Sequence, residues 1–480
     1  MKRILLVVGV LVVLAAGGAA VAYYLHVKHA SRDLKGSSTV EFVTTQAAPP
    51  APPEPGIAWP TYGRDAEHLR FGNGIALAPP FRRIWTFRAQ SLVEFPPAIG
   101  YGRLFFSNNA GVMFAIGAKN GKRAWKLDSH RCVASSPALD RHVVYQAYLN
   151  GPPCNRAPSA SLTGEVVAYA VGTGRVVWRR TIGPSETSPV VSRASVFVGD
   201  WDGRVWALRR MNGKTRWVTK LHGQVKGAVA ISGNRIFVGD YSGHMYALSY
   251  ASGKVLWETK AQPRFGSTGN FYATPSAAYG RVYIGATDGK VYSFGAASGK
   301  IRWSQSTGGY VYSSTAVWHD RVYAGSYSKR FFCFDAATGR ILWQFKANGQ
   351  ISGSPTVIAG RVYFATLAGR TYALDARSGA RLWTFPDGKY SPVVADASRI
   401  YLIGYARIYG LVPSATLGTV TAGELRRIRH AGVVVTRYAT RKQASTHGGV
   451  QVCNVVLRRH GAAPAAFWST VARVERACRS

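Results

Sequence analysis

The chain is 480 residues long and carries 60 Lys and Arg against 22 Asp and Glu, a formal net charge of +38. Its 47% of hydrophobic residues supplies a sizeable core and excludes a disordered polyelectrolyte. With 25 Tyr, 20 Phe, 13 Trp and 52 Gly it is rich in strand and turn formers, and long charged helical faces are scarce.

In chain order, the first feature is an uncharged apolar run from Ile4 to Leu25 behind Met1, Lys2 and Arg3. At about 1.5 Å per residue, a helix of that length crosses a hydrocarbon layer of roughly 30 Å. Residues 1–25 are therefore expected to be a transmembrane signal-anchor. The alternative is a cleaved signal peptide, since Ala20 and Ala22 form an A-x-A pattern before Tyr23. Lys28, Arg32 and Lys35 rival Lys2 and Arg3, so flanking charge leaves orientation open. No cysteine follows the run, which argues against a lipoprotein anchor. Residues 26–56 read as a linker ending in AAPPAPPEPG, whose prolines favour an extended spacer.

From residue 57 the chain repeats itself. Trp125, Trp178, Trp217, Trp257, Trp303, Trp343 and Trp383 each follow a Gly by four positions, and Trp85 is an eighth without the Gly. Their successive separations are 40, 53, 39, 40, 46, 40 and 40 residues, the length of a four-stranded propeller blade. Each unit opens with a short run such as SSPAL or ATPSA. Two alternating strands and the Trp strand follow, separated by Gly-bearing turns. The spacing predicts first strands near Pro97, Pro137, Pro189, Ala228, Pro275, Thr315, Pro355 and Pro392. The last unit has only three strands, ending in SRIYLIGYARIYGLV, so the Trp85 strand is expected to complete it and close a ring of eight. The expected fold is an all-β, eight-bladed propeller over 57–413, preceded by one N-terminal transmembrane helix. Each blade Trp is expected to pack between neighbouring blades.

Residues 360–383, GRVYFATLAGRTYALDARSGARLW, resemble the repeat of the pyrroloquinoline quinone (PQQ) propeller family, and the resemblance covers about residues 57–413. The segment WPTYGRDAEHLRFG resembles the lead-in of such domains. The resemblance implies one of two functions: quinoprotein dehydrogenases, or non-enzymatic scaffolds of the BamB type that help assemble outer-membrane proteins. Fold alone does not separate them. The dehydrogenase branch implies a calcium ion held by acidic and amide side chains, a catalytic Asp and, in many members, adjacent cysteines. This chain has no Cys-Cys pair, and its propeller region carries 17 Asp and Glu. Most of these sit in recurrent turns, including Asp202, Asp288, Asp335 and Asp375, where local hydrogen bonding accounts for them. Only Glu94 and Glu186 fall where first strands begin, too few for a hard cation. No Ser/His/Asp or metal-ligand spacing is present, so no catalytic, cofactor-binding or metal residue is assigned.

In a four-stranded meander, the turn between second and third strands shares a face with the connection from the Trp strand to the next first strand. Both irregular spacings fall on this face, through the insertion YLNGPPCNRAPSASLTG in the second blade and the loop ETKAQPRFGSTGNFYATP. This is the expected binding face. Its candidate contact residues are Arg131, Glu186, Lys226, Asn270, Tyr272, Tyr310, Gln350 and Tyr390, with Tyr312 beside them. Cys132 and Cys154 lie on the same face and are a candidate disulfide, which requires an oxidising compartment. Cys453 and Cys478 are a second candidate pair. Cys333 replaces a small core residue and reads as packing.

The propeller region alone carries a net +27, from 44 basic and 17 acidic residues. Outside the cytoplasm, such charge suits an envelope protein or an anionic cell-surface polymer. The basic and aromatic residues follow the blade repeat rather than a nucleic-acid module, so nucleic acid is not the expected partner. Residues 414–480 hold 11 Lys and Arg against 2 Glu and no repeat. They read as a basic tail, a cystine-tied appendage, or sequence unrelated to a propeller that is already complete. The sequence points to a membrane-tethered, non-catalytic, extracytoplasmic scaffold without a cofactor. A PQQ-dependent oxidoreductase is the alternative, and a polysaccharide-binding or sensor domain a further one.

Overall fold

The computed structural model describes residues 2–44, 54–154, 161–263, 267–391 and 393–414, together with short pieces at 434–435, 440–443, 450–453 and 457–458. Eight antiparallel sheets of four blade strands each follow one another along the chain. Their first strands are Ala98–Gly100, Ala138–Asp140, Val190–Ser192, Ala230–Ser232, Ser276–Ala278, Ala316–Trp318, Thr356–Ile358 and Val394–Ala395. Each begins one or two residues after the expected position; where the unit opens on Pro97, Pro137, Pro189, Pro275 or Pro355, the strand starts at the next residue because Pro cannot donate to the ladder. Blade 8 takes its outer strand, Phe81–Arg88, from the beginning of the domain, against Arg407–Pro413. The ring is closed by the Trp85 strand, as the sequence required.

Blade 5 shows why the repeat reads as it does. Its strands are Ser276–Ala278, Arg281–Gly285, Lys290–Gly295 and Ile301–Ser306. The second and third are buried at every position, because neighbouring blades cover both faces, so they read as nearly continuous apolar runs. In the outer strand of blade 3 exposure alternates throughout, and in those of blades 1 and 4 from the Trp onward, with Lys126, Arg216, Lys220 and Lys260 among the outward residues. In blade 5 Ser293 pairs with Trp303, and a one-residue bulge follows. The same irregularity beside the Trp recurs in blades 1–4, 6 and 7.

The G-x-x-x-W pattern joins blades rather than residues of one blade. A Cβ on Gly339 would lie 2.7 Å from the Trp303 ring of the preceding blade, and Gly339 also has φ +75°. Gly121, Gly174, Gly213, Gly253, Gly299 and Gly379 meet Trp85, Trp125, Trp178, Trp217, Trp257 and Trp343 in the same way. These seven rings, from Trp85 to Trp343, thus need the glycine of the next blade. Most of these indoles also donate across the gap, as Trp303 Nε1 does to Ala336 O at 2.9 Å and Trp178 Nε1 to Arg210 O at 2.9 Å. Trp85 lacks a preceding Gly because its strand enters from the N-terminal side and has no turn before it in its own blade. It still rests against Gly121 of blade 1.

Two segments outside the repeat attach to this ring. Residues 57–72 cross the central channel. Ile57–Trp59 pairs antiparallel with the first strand of blade 1, and Phe71–Gly72 pairs parallel with that of blade 7. Between them, Pro60 O accepts from Leu139 N, Ala66 O from Ile231 N, Glu67 O from Ala277 N, Leu69 O from Val317 N and Arg70 O from Val357 N, at 2.7–3.0 Å. The inner edges of six blades are capped in this way, leaving few first-strand donors facing an empty channel. Residues 31–43, expected to be part of a free linker, dock along blade 5 instead. Leu34 and Ser304 exchange backbone hydrogen bonds, Glu41 accepts from Arg302 Nε at 2.7 Å, and Phe42 stacks on Tyr279 at 5.4 Å. The proline-rich stretch lies mostly outside the described residues.

The apolar run forms a helix, Lys2–Ala30. Among the described residues no helix is long and apolar enough to cross a membrane, and the side chains of residues 3–8 are not among those described. A second compact unit comprises residues 78–82 and 412–480. Within it Thr440–Gln443 pairs with Val450–Cys453, and Val434–Val435 with Leu457–Arg458. The side chains of Cys453 and Cys478 lie outside the described residues.

Candidate binding site at the channel mouth

The face on which the first strands begin encloses a cavity of about 50 Å³ on the axis. Its floor is Tyr62 of the channel-crossing segment, and residues from the openings of the first strands form its wall, including Glu94, Phe95, Glu186, Lys226, Tyr272, Tyr312 and Tyr390. Tyr62 is fixed from three sides: its hydroxyl meets Ser354 Oγ at 2.7 Å, Phe95 packs edge-on at 5.5 Å, and the buried Arg70 guanidinium lies 4.0 Å from its ring centre. Nearby, His68 is buried with Nε2 2.8 Å from Val229 O, and burial pushes its pKa down to about 3, so the imidazole is neutral.

A belt of hydroxyls rings the same level. Thr274 N donates to Ser314 Oγ, Ser314 N to Ser354 Oγ, Ala228 N to Thr274 Oγ1, and Ser136 N to Ser188 Oγ, at 2.9–3.0 Å. The Ser or Thr that precedes or replaces the opening Pro therefore couples each of these blades to its neighbour.

Glu186 and Lys226 form the centre of the wall. Lys226 Nζ donates to Glu186 Oε1 at 2.7 Å, with the two side chains only 14% and 8% exposed. The same carboxylate accepts from Trp201 Nε1 at 2.7 Å and from the Tyr272 hydroxyl at 3.1 Å. The ammonium group lies 4.6, 5.2 and 5.7 Å from the ring centres of Trp201, Tyr241 and Tyr272, an aromatic cage around an internal cation. Glu94 differs: among the described residues no cation pairs with its carboxylate. Desolvation, reinforced by the Glu186 charge, pushes its pKa up to about 7.

The structure thus gathers Glu186, Lys226, Tyr272 and Tyr390 of the sequence candidates, with Glu94 and Tyr312, around one cavity. Tyr310 stands on the rim, 50% exposed, and packs against Tyr312 and Tyr327 at 5.9 and 6.2 Å. Asn270 and Gln350 hold rim turns through their backbones, to Thr287 and Leu367. Arg131 is engaged elsewhere, bridging Glu165 at 3.3 Å and donating to Thr163 O at 2.8 Å, so it secures the blade 2 insertion and does not line the cavity. Cys132, in the loop before the first strand of blade 2, is joined to Cys154 in that blade's insertion, with Cα atoms 5.5 Å apart; residues 155–160 of the insertion are not described. Cys333 is fully buried opposite Trp343, and burial pushes its thiol up to about 12. The turn carboxylates are locally satisfied: Asp335 Oδ1 accepts from Ala337 N, Thr338 N and the Thr338 hydroxyl, and Asp202 bridges Arg204 at 2.6 Å.

Sequence reasoning missed Trp201, Tyr241 and Tyr62. The first two had a signal: with Tyr327, they put an aromatic side chain at one turn position of blades 3, 4 and 6, two residues after Gly199, Gly239 and Gly325. Tyr62 had none, since it lies in a segment that occurs once.

The ring, its inter-blade Trp layer and the lead-in through the channel define a β-propeller built of PQQ-like repeats. The chain belongs to the family described as outer membrane protein assembly factor BamB, which matches residues 131–219, 162–310 and 296–409. It is 31% identical over 181 residues to a quinohemoprotein alcohol dehydrogenase of Comamonas testosteroni, covering 36% of this chain and 20% of that protein. It is 26% identical over 133 residues to the BamB of Xanthomonas campestris pv. campestris, covering 25% of this chain and 29% of that protein. The matched region therefore spans less than a third of either relative. Among solved structures, BamB from Moraxella catarrhalis superposes with a TM-score of 0.58 at 15% identity, over 69% of this chain and 100% of that one. The Comamonas dehydrogenase superposes with a TM-score of 0.62 at 15% identity, over 74% and 81%. Both structures share the fold, and at this identity they carry no function across.

The residues at the mouth do not fit the calcium and quinone of the dehydrogenase branch. Among the described residues no three His, Cys, Asp or Glu side chains converge on one point. Glu186 already accepts three donors, and a cavity of about 50 Å³ is small beside the several hundred Å³ of a typical cofactor pocket.

Proposed function

We propose that this protein is a non-catalytic binding or assembly scaffold of the cell envelope, tethered to the cytoplasmic membrane by its N-terminal helix, with the propeller on the extracytoplasmic side and the channel mouth as its partner face. The observation that carries this reading is the state of the mouth carboxylates. Glu186 is committed to Lys226, Trp201 and Tyr272, which makes it part of a rigid wall rather than a ligand for a reactive centre. The Tyr272, Tyr310, Tyr312 and Tyr327 rings, in mutual contact around the cavity, supply the stiff amphipathic area that protein interfaces favour.

The membrane tether is supported by the uncharged run Ile4–Leu25, and export by the Cys132–Cys154 bond. Retention of the full-length chain in the membrane fraction after alkaline carbonate extraction supports the tether; release of a shortened chain identifies a cleaved leader. The dehydrogenase reading retains one specific support, the 31% identity to the Comamonas enzyme. It fails if the purified protein, given PQQ and calcium, oxidises alcohols and sugars no faster than a denatured control.

Partner binding is tested by co-purification with the solubilised full-length chain. Tyr310→Ala combined with Lys389→Ala, whose ammonium lies 5.6 Å from the ring centre of the cavity-lining Tyr390 and 4.8 Å from that of Tyr405, is expected to lose the partner, and Lys300→Ala in a turn on the opposite face to keep it. Equal loss from both would assign binding to overall positive charge. Lys226 is a poor probe, because removing it leaves Glu186 buried without its cation.

A further inference from the structure

Glu186 and Glu94 face the same cavity in different states. One has its cation built in: Lys226 sits against the carboxylate, within 6 Å of three aromatic ring centres. The other has the same kind of surroundings without a cation among the described residues. Tyr62, Phe95, Tyr272 and Tyr390 line the cavity with Glu94, and its charge raises the phenol pKa values of both Tyr272 and Tyr390 after desolvation, which places those rings near it. The Glu94 backbone is fixed, since Ser391 Oγ donates to its carbonyl. With one lysine against two glutamates, the cavity is acidic inside a protein of net charge +38. A carboxylate with aromatic walls and no internal partner is a complement for an organic cation, whose charge the acid neutralises and whose alkyl stem the rings cover.

We propose that the mouth cavity is a receptor for one cationic side-chain terminus, an ammonium or guanidinium group projecting from a partner protein and seated against the Glu94 carboxylate between Tyr62, Phe95, Tyr272 and Tyr390. The size agrees: a cavity of about 50 Å³ admits a single small head group with little water, not a sugar ring or a fused cofactor. The surroundings also set the pH dependence. The groups facing Glu94 are the Glu186–Lys226 pair and the Tyr272 and Tyr390 phenols, and Arg70 lies on the far side of the Tyr62 ring. The phenols stay neutral below pH 10, so among the cavity-lining residues the charge that changes near neutrality is that of Glu94; Asp65, also raised to about 7, does not line the cavity. Binding strengthens as pH rises through about 7, where the carboxyl ionises while the ligand stays charged.

This inference rests on reading the mouth as the partner face, but its test needs no partner, so the two can fail separately. The solubilised full-length protein is titrated with n-butylammonium and with n-butylguanidinium, followed by tyrosine and tryptophan fluorescence, with n-butanol as the uncharged control. Saturable binding of at least one cation, about tenfold tighter than butanol and tighter at pH 8 than at pH 6, is expected. Glu94→Gln is expected to remove the pH dependence and most of the affinity, whereas Glu258→Gln, at a carboxylate away from the cavity, leaves both unchanged. Circular dichroism and the melting transition establish that each variant is folded. Butanol binding as tightly as either cation, unchanged binding in folded Glu94→Gln, or no saturation by either cation would overturn the proposal. Partner capture that persists in Glu94→Gln would place partner recognition on the rim tyrosines instead.

Discussion

The layer of Trp rings between blades and the wall of the channel mouth are both aromatic, yet they are built on opposite principles. The Trp layer is periodic: seven rings, from Trp85 to Trp343, each fill the space that a Cβ on a glycine of the next blade would occupy. The mouth is aperiodic. Four residues before the first strand, successive blades place Glu94, Ala134, Glu186, Lys226, Tyr272, Tyr312, Ser352 and Tyr390. Repetition holds the ring together, and departure from repetition at equivalent positions creates a site. A substitution should therefore reduce stability in the first region and recognition in the second.

The largest effect expected from that contrast is Trp303→Ala, which removes a fully buried ring packed between blades 5 and 6. It should cost about 3–5 kcal/mol in equilibrium denaturation, and Tyr310→Ala at the rim about 1 kcal/mol or less. If the two costs were similar, the division between the layers would fail. Gly339→Ala attacks the same packing from the opposite blade. A methyl group 2.7 Å from the Trp303 ring, on a residue with φ +75°, should lower stability by about 2–4 kcal/mol and leave cation binding at the mouth intact.

The Cys132–Cys154 bond closes a loop of 22 residues on the mouth face. Replacing both by Ser should lower stability by about 3 kcal/mol on the chain-entropy account, visible as a lower melting temperature in the absence of reductant. An unchanged melting temperature would mean that the insertion is held by Arg131 and its partners rather than by the covalent bond.

The smallest effect sharpens the comparison within the mouth. Burial raises the Glu94 carboxyl from 4.5 to about 7 in the folded protein, so ionising it works against folding. Its stabilising contribution is present below about pH 4.5, declines as pH rises towards 7, and is absent above. Asp65, also pushed up to about 7 by burial, acts with the same sign in the same window. Glu94→Gln therefore removes only part of the decline: parent and variant should be similar at pH 5, and the variant more stable by up to about 3 kcal/mol at pH 8. Parallel stability curves across that range would show that Glu94 is well solvated.

Much of the ring was legible before any coordinate was known, and particular residues show why. The Trp series fixed blade length and number because each ring is needed once per inter-blade gap. The three-stranded unit at 394–413 and the lone strand at Trp85 revealed each other as halves of one blade. Half of the eight mouth candidates, Glu186, Lys226, Tyr272 and Tyr390, line one cavity because loop polarity in a meander is fixed by strand count. Arg131 does not, since position on a face says nothing of which acceptor a long side chain reaches; Glu165 and Thr163 O hold it at the insertion.

The sequence by itself determined the architecture, the closure of the ring, the face on which its irregular loops gather and the two carboxylates, Glu94 and Glu186, that fall where first strands begin. These follow from periodicity and strand alternation, which are local properties repeated often enough to be read. Only the tertiary structure decided that residues 57–72 cap the first strands and supply Tyr62 as the cavity floor, that residues 31–43 lie along blade 5, and that Glu186 holds a lysine while Glu94 holds no cation among the described residues. Each of these depends on groups far apart in the chain meeting once, at 2.7 Å for Lys226 and Glu186 across 40 residues and for Tyr62 and Ser354 across 292. A contact made once leaves no period in the sequence, and its partner is chosen by burial and geometry after the ring has closed.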